Sequence, residues 1–347
     1  MRQPRILIIG GGIAGPTLAW VLHDRGLPFL IVDRDEPATS SKVAAGLLTP
    51  ITGIRLTLSW RYETLYPEAL AFYRDKEACL GLTLYRELPT ALLLRDDKAV
   101  AFWQKRREQP EIMNYVQPTN GPLVDASVFD NPNGGFEMKH SGWLDTAAFL
   151  QASQRYFERL GCWQTGDVGR EQFDREVIWQ GQTFTQAVFC TGWEAARHPW
   201  FDWVPFQSAQ GTVLQITADI GGETRIVNRS CWVLPRGDGT LRAGPTYEWQ
   251  FQDAYTASPA AVAGLETKLR ELLKRPYQIH GSQTGVRPII RGRQLLIGRH
   301  PTRPHLAFLN GLGSKGVLRA PWVARQLMEH LIEGKAIEAE LDLAGNF

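Results

Sequence analysis

Apolar residues along this chain fall into two rhythms, and the changes between them mark its elements. Ile6-Leu7-Ile8-Ile9 is an unbroken apolar run of strand length, opened by Arg5 and ended by Gly10-Gly11-Gly12. From Pro16 to Arg25 the rhythm becomes helical, with Leu18, Ala19, Val21 and Leu22 on one face, and Gly26 stops it. Phe29-Leu30-Ile31-Val32 then predicts a second buried strand ending at Asp33. Strand, glycine turn, helix and strand make one βαβ unit. A long helix is expected from about Leu58 to Glu77, on the stripe Tyr62, Leu65, Leu70 and Tyr73. The middle of the chain reads differently. Leu82 to Arg95 and Thr212 to Thr217 predict strands, and Cys231 to Pro235 with Thr240 to Tyr247 predicts a hairpin across Arg236-Gly237-Asp238-Gly239. A helix over Thr146 to Leu160 is followed by strands up to Val188-Phe189-Cys190. Ser258-Pro259, a cap followed by a first-turn proline, opens a further helix. Leu306 to Leu309 is a strand running into Gly311-Leu312-Gly313-Ser314-Lys315-Gly316 and a terminal helix that reaches Glu333. No internal repeat is visible. The fold class is α/β, with parallel-sheet features at the start, middle and end and antiparallel features between them. Two domains threaded by one chain, with several crossings, are expected.

Composition agrees and narrows the class. A chain of 347 residues is long for a single core. Net charge is +2, so nothing global demands nucleic acid or an anionic membrane. Lys105-Arg106-Arg107 reads as a solvated face, whereas the Arg287/Arg291/Arg293 cluster is a candidate for function. Cys79, Cys162, Cys190 and Cys231 lie far apart, without a Cys-x-x-Cys pair or histidines spaced for a metal. A disulfide framework and a metal site are therefore not expected, and a reducing compartment is. Met1 to Ile9 carries two arginines before its apolar run, but that run is too short for an export signal. No stretch approaches the roughly 18 apolar residues of a membrane span. The expectation is a soluble, cytoplasmic protein.

Gly10-x-Gly12-x-x-Gly15 stands after a strand and before a helix, the context a dinucleotide site requires. Gly10 permits the tight turn, Gly12 admits a pyrophosphate close to the backbone, and Gly15 lets helix and strand pack closely. The helix N-terminus, with Ile13 and Ala14, offers N–H donors and the positive end of its dipole. Asp33 is placed to accept hydrogen bonds from the adenosine ribose. This fingerprint alone does not separate FAD from NAD.

Five stretches taken together do. They are Gly10 to Gly15 with Asp33-Arg34; Ser40-Ser41-Lys42-Val43-Ala44-Ala45-Gly46-Leu47; Val188-Phe189-Cys190-Thr191-Gly192-Trp193; Cys231-Trp232-Val233-Leu234-Pro235 with Gly244-Pro245-Thr246; and Gly285-Val286-Arg287-Pro288 with Gly311 to Gly316. In this order and spacing the chain resembles, end to end, the glycine/D-amino-acid oxidase family of flavoproteins. The resemblance implies a Rossmann-like FAD-binding domain formed by residues 1–78, 142–204 and 284–347. It implies a mixed or antiparallel substrate domain formed by residues 79–141 and 205–283. It implies that Ser40, Ser41, Ala45, Gly46 and Leu47 line the pyrophosphate and isoalloxazine, and that Val168 touches the adenine through its backbone. Thr191, Gly192 and Trp193 match the family's strand ending in a small residue, glycine and an aromatic. Leu312, Gly313, Ser314, Lys315, Gly316, Val317 and Leu318 would hold the flavin ring. A helix N-terminus there favours the negative charge that appears on reduction, and Lys315 adds to it. No cysteine follows Cys231, so non-covalent FAD is implied.

Arg287 matches the position where the family clamps a substrate carboxylate, a task that suits a planar guanidinium fork. A domain-bridging arginine is the plainer account of the same residue. Trp232 stands where glycine oxidases carry a tyrosine over the pocket, either as an aromatic wall or as a core tryptophan; Tyr247 is open to the same two readings. The reaction implied is oxidation of the C–N bond of a small, carboxylate-bearing amine or amino acid by hydride transfer to flavin N5, with O2 as oxidant. An alternative follows from Gly142-Trp143-Leu144-Asp145 and Gly311 to Gly316, which resemble the flavin domain of the bifunctional enzyme that builds methylaminomethyl-uridine in tRNA. That would make the substrate a tRNA-borne amine. A nicotinamide dehydrogenase leaves the C-terminal glycine loop unexplained, and a flavoprotein without turnover stays open.

Overall fold

The computed structural model describes residues 5–118, 121–169, 173, 175–292 and 295–346. Its first layer is a six-stranded sheet in the order Trp163–Thr165, Phe29–Asp33, Ile6–Ile9, Gln186–Phe189, Arg303–Asn310, Leu296–His300. The first five strands run parallel and the last is an antiparallel edge. Their near-continuous apolar runs follow from burial on both faces. Ile6, Ile8, Ile31, Val188, Ala307 and Leu309 point to one side, where the helices Ala14–Asp24, Tyr62–Leu80, Thr146–Arg159 and Gly316–Met328 pack. Leu7, Ile9, Leu30, Val32, Phe189 and Phe308 point to the other, against Phe173, Trp179, Phe201 and Val204.

The second layer is an eight-stranded, mostly antiparallel sheet in the order Tyr277–Arg287, Ala209–Ala218, Leu241–Gly244, Trp232–Pro235, Ile226–Asn228, Thr90–Leu93, Gly135–Met138, Val116–Gln117. One face is covered by the helix Pro259–Leu272 through Leu265, Leu269 and Leu272. The opposite face looks toward the carboxyl ends of the parallel strands. The chain reaches this sheet twice and returns to the first each time, as expected from the alternation of patterns.

Most expected elements are present, with shifted ends. The long helix starts at Tyr62 rather than Leu58, because Arg61 before it sits in the left-handed region at φ 50° and Leu58 belongs to a short strand. It runs on to Leu80, stopped by Gly81 at φ 68°. The terminal helix Gly316–Met328 reaches Glu333 only through a wider π-helical turn over Glu329–Glu333. The hairpin closes as expected, with Arg236 N–H donating to the Thr240 carbonyl at 3.1 Å. The helix Asp97–Arg106 and the long strand Tyr277–Arg287 are additions to the sequence reading. Lys105 and Arg107 are solvated, while Arg106 donates from Nε to the Arg55 carbonyl. Arg293 lies outside the described residues. Among the described residues, no helix is long and apolar enough to cross a membrane.

Candidate active site

A cavity of about 1150 Å³ runs from the glycine turn after the first strand to the inner face of the eight-stranded sheet. It lies beyond the carboxyl ends of the parallel strands, where open α/β sheets hold their ligands. Gly10 adopts φ 112°, a conformation only glycine takes readily, and turns the chain into the first helix. A Cβ on Gly15 would overlap the Gly10 carbonyl oxygen, so this glycine brings helix against strand. Asp33 sits under the turn: one carboxylate oxygen accepts from Gly11 N–H and the other from Asp35 N–H at 2.8 Å. Ser41 accepts at Oγ from Ile13 N–H at 2.9 Å and fastens the next wall to the turn.

Ser40, Ser41 and Ala45 to Leu47 form that wall, Thr191 to Trp193 the wall beside it, and Leu312 to Val317 the far end. Asn310 Nδ2 donates to the Gly192 carbonyl at 2.8 Å, tying the last two together. Arg34 pairs with Glu194, and Val168 lies at the same end as both. The helix Gly316–Met328 opens on the cavity. Lys315, the residue before it, is enclosed by protein except toward the cavity and donates from Nζ to Thr49 Oγ1 at 3.1 Å. Burial, and next the neighbouring Arg319 cation, push this ammonium down to about 8.

The other side of the cavity is the sheet. Arg287, at the end of Tyr277–Arg287, lays its guanidinium over the Tyr247 ring with Cζ 4.2 Å from the centroid. Nη1 donates to the carbonyls of Thr246 at 3.2 Å and Gln210 at 3.4 Å. No carboxylate pairs with Arg287 among the described residues, and burial holds its pKa below the ordinary arginine value. Trp232, buried, borders the cavity and packs with Val43, Val213 and Ile226. Trp232 is thus both a wall and a core residue. Tyr247 is half exposed at the cavity edge.

The DAO family model, FAD dependent oxidoreductase, matches residues 5–330. The chain belongs to this family. The bifunctional protein ThiO/ThiG of Trichormus variabilis is 24% identical over 364 residues, covering 95% of this chain and 53% of that protein. The tRNA 5-methylaminomethyl-2-thiouridine biosynthesis bifunctional protein MnmC of Thiobacillus denitrificans is 26% identical over 371 residues, covering 97% of this chain and 58% of that protein. The chain thus spans little more than half of these two relatives. Glycine oxidase from Geobacillus kaustophilus superposes with a TM-score of 0.75 at 19% identity, covering 96% of each chain. That likeness shows the fold, a mostly parallel sheet layered with a mostly antiparallel one.

For an FAD-dependent oxidoreductase the cavity has fitting chemistry. Thr191 Oγ1 is buried there without a hydrogen-bond partner among the described residues, a polar atom left for a ligand to satisfy. The glycine turn presents backbone to the space where a pyrophosphate belongs, and Asp33 lies beyond it. Of the residues expected from the sequence, two stand back from the cavity. Gly15 works in packing, as its motif requires. Leu318 is buried in the core against the parallel sheet, because the helix turns that position inward.

Other residues were missed. Arg242, inward on its strand and buried, donates to the carbonyls of Val43 at 2.5 Å and Ala44 at 3.0 Å. Burial lowers its pKa to about 10. It ties the segment of Val43 and Ala44 to the eight-stranded sheet. Thr49 and Arg319, the neighbours of Lys315, were missed too. The only local signal was an arginine between Leu241 and Ala243 in a strand.

Proposed function

We propose that this chain oxidises the C–N bond of a small amine or amino acid carrying a carboxylate, with O2 as oxidant. The observation that carries the reading is the Arg287 guanidinium. It is desolvated, set over the Tyr247 ring, supplied with only backbone acceptors at Nη1, and in the same cavity as the dinucleotide turn. A charge so placed favours an anionic ligand. Bound FAD supplies the hydride acceptor. Arg287 grips the carboxylate with its remaining donors, while Trp232, Val213 and Ile226 exclude water from one flank. Lys315 sets a positive charge near the opening of the Gly316–Met328 helix, where developing negative charge is favoured. FAD is held non-covalently: the two thiols on the cavity, Cys190 and Cys231, are pushed up by burial, the second to about 12, so neither is a ready thiolate nucleophile. Residues 1–78, 142–204 and 284–347 are the FAD-binding domain, and 79–141 and 205–283 the substrate domain. Membership of the strands in the two sheets supports this division, with Tyr277–Arg287 crossing the boundary.

A small free substrate is favoured over a tRNA-borne amine. Arg95 and Arg229 at the outer cavity wall are tied to Asp96 and Asp130, so these charges are not arrayed for phosphates. The test is stopped-flow flavin reduction with matched amines, with and without the carboxylate. Arg287→Ala should keep its flavin yet lose about thirty- to several-thousand-fold in efficiency with the carboxylate-bearing amine, the equivalent of roughly 2–5 kcal/mol. Arg287→Lys should recover part of that. Equal losses for both amines would refute the clamp.

A further inference from the structure

Arg287 is long and flexible, and a guanidinium at the end of such a side chain has to be told where to lie. Its backbone leaves the last position of Tyr277–Arg287, opposite Ala209 on the neighbouring strand. From there the side chain folds back across the sheet to the position of Gly211, which pairs with Gly285. A Cβ built on Gly211 would overlap Nη1, Nη2 and Cζ of Arg287, and these are the three atoms nearest to it. Gly211 lies in regular strand conformation, outside the left-handed region. An alanine would be at ease in the backbone there. The lack of a side chain is thus explained by the guanidinium and not by the chain's path.

Three contacts complete the seat. The Gln210 and Thr246 carbonyls hold Nη1, and Cζ lies over the Tyr247 ring, 4.2 Å from its centroid. Among the described residues, Nε and Nη2 have no hydrogen-bond partner. The seat therefore fixes the orientation of the fork and leaves one edge of donors for a ligand.

We infer that Gly211 is the positioning residue of the carboxylate clamp: its bare backbone is the bed on which the Arg287 guanidinium lies, and any side chain there swings the fork away from its ligand. This rests on the proposed role of Arg287, and the experiment separates the two. FAD-loaded wild type, Gly211→Ala, Arg287→Ala and the double variant are compared in flavin reduction by matched amines, with and without the carboxylate. A displacement of about 1 Å in a binding group costs on the order of a hundred-fold. Gly211→Ala should lose on that order with the carboxylate-bearing amine, chiefly by weaker apparent binding, and little with its carboxylate-free analogue. In the Arg287→Ala background the same substitution should add nothing. Should Gly211→Ala fail to fold, the double variant, relieved of the overlap, should fold and retain FAD. An additive loss in the double variant, an equal loss with both amines, or a double variant that also fails to fold overturns the inference. If Arg287→Ala itself does not distinguish the two amines, the clamp reading fails first, and the positioning claim falls with it.

Discussion

Two of the cations that line the cavity, Arg287 and Lys315, are desolvated to similar ends but answer differently to pH. Arginine keeps its proton at any pH the protein survives. Lys315, pushed down to about 8 by burial and by Arg319, does not. Among the described residues, the only hydrogen-bond partner of its ammonium is the Thr49 hydroxyl, and no carboxylate pairs with it. The sign follows from the direction of the shift. Below about pH 8 the ammonium is present in the folded protein, and above it the neutral amine takes over. The unfolded chain keeps the proton up to the ordinary lysine value of 10.5, so burial of the charge costs stability below about 8, and that cost fades as pH rises toward 10.5. The same charge favours reduction of a flavin bound beside it. The midpoint potential of bound FAD should therefore be higher in wild type than in Lys315→Met below about pH 8, and the gap should close above it. Spectroelectrochemical titrations of both proteins across that pH range check this. A gap of constant size would mean that Lys315 acts by packing and not by charge.

At the scale of the element, local chemistry fixed what was legible. The opening βαβ unit and the 236–239 hairpin carried glycines and periodic apolar runs in one window, and both formed. The helix Pro259–Leu272 is the sharpest case, since cap and first-turn proline are adjacent. Ser258 Oγ accepts from Ala261 N–H at 3.0 Å and donates to Glu248 Oε1 at 2.7 Å. Ser258→Ala should cost about 1 kcal/mol, a typical cap loss. Ser258→Thr should stay near wild type; thermal melts of the two variants decide, and indifference to alanine would show that packing of Leu265, Leu269 and Leu272 alone holds this helix. What was illegible depends on distant partners. Tyr277–Arg287 reads as polar because it is an edge strand, with Gln278, His280, Ser282 and Gln283 exposed, and it is a strand because Ala209–Ala218 pairs with it. The helix Asp97–Arg106 has a proper Asp96 cap but only a half-buried stripe of Val100, Phe102 and Trp103. Arg242 finds its acceptors nearly 200 residues away in sequence, and no window contains both. The glycine fingerprint and Arg287 were found by motif, whereas Gly211 and Thr49, which place the guanidinium and the ammonium, have no motif.

For the whole molecule, the cavity is where the two sheets meet, and contacts on its walls join them. The Ser40 backbone packs against Gly285, where a Cβ would come within 2.8 Å of Ser40 Cα. Arg242 reaches from the sheet to Val43 and Ala44 on the cofactor wall. A ligand lying between these walls touches both layers and should stabilise the protein as a unit. The purified protein should be yellow, and denaturation should release intact FAD into the filtrate, because both cavity thiols are protonated and buried. Linkage sets the size of the effect: free FAD at a hundred times its dissociation constant adds about 2.7 kcal/mol to the folded state. Melting of the stripped and reloaded protein should then show a single transition that moves upward as FAD is added, and the substrate-side sheet should gain hydrogen-exchange protection along with the cofactor side. Colour that stays with the denatured chain would mean covalent attachment. A transition that splits, with only the parallel-sheet half responding to FAD, would mean that the walls of the cavity are fastened to each other too weakly for one to report on the other.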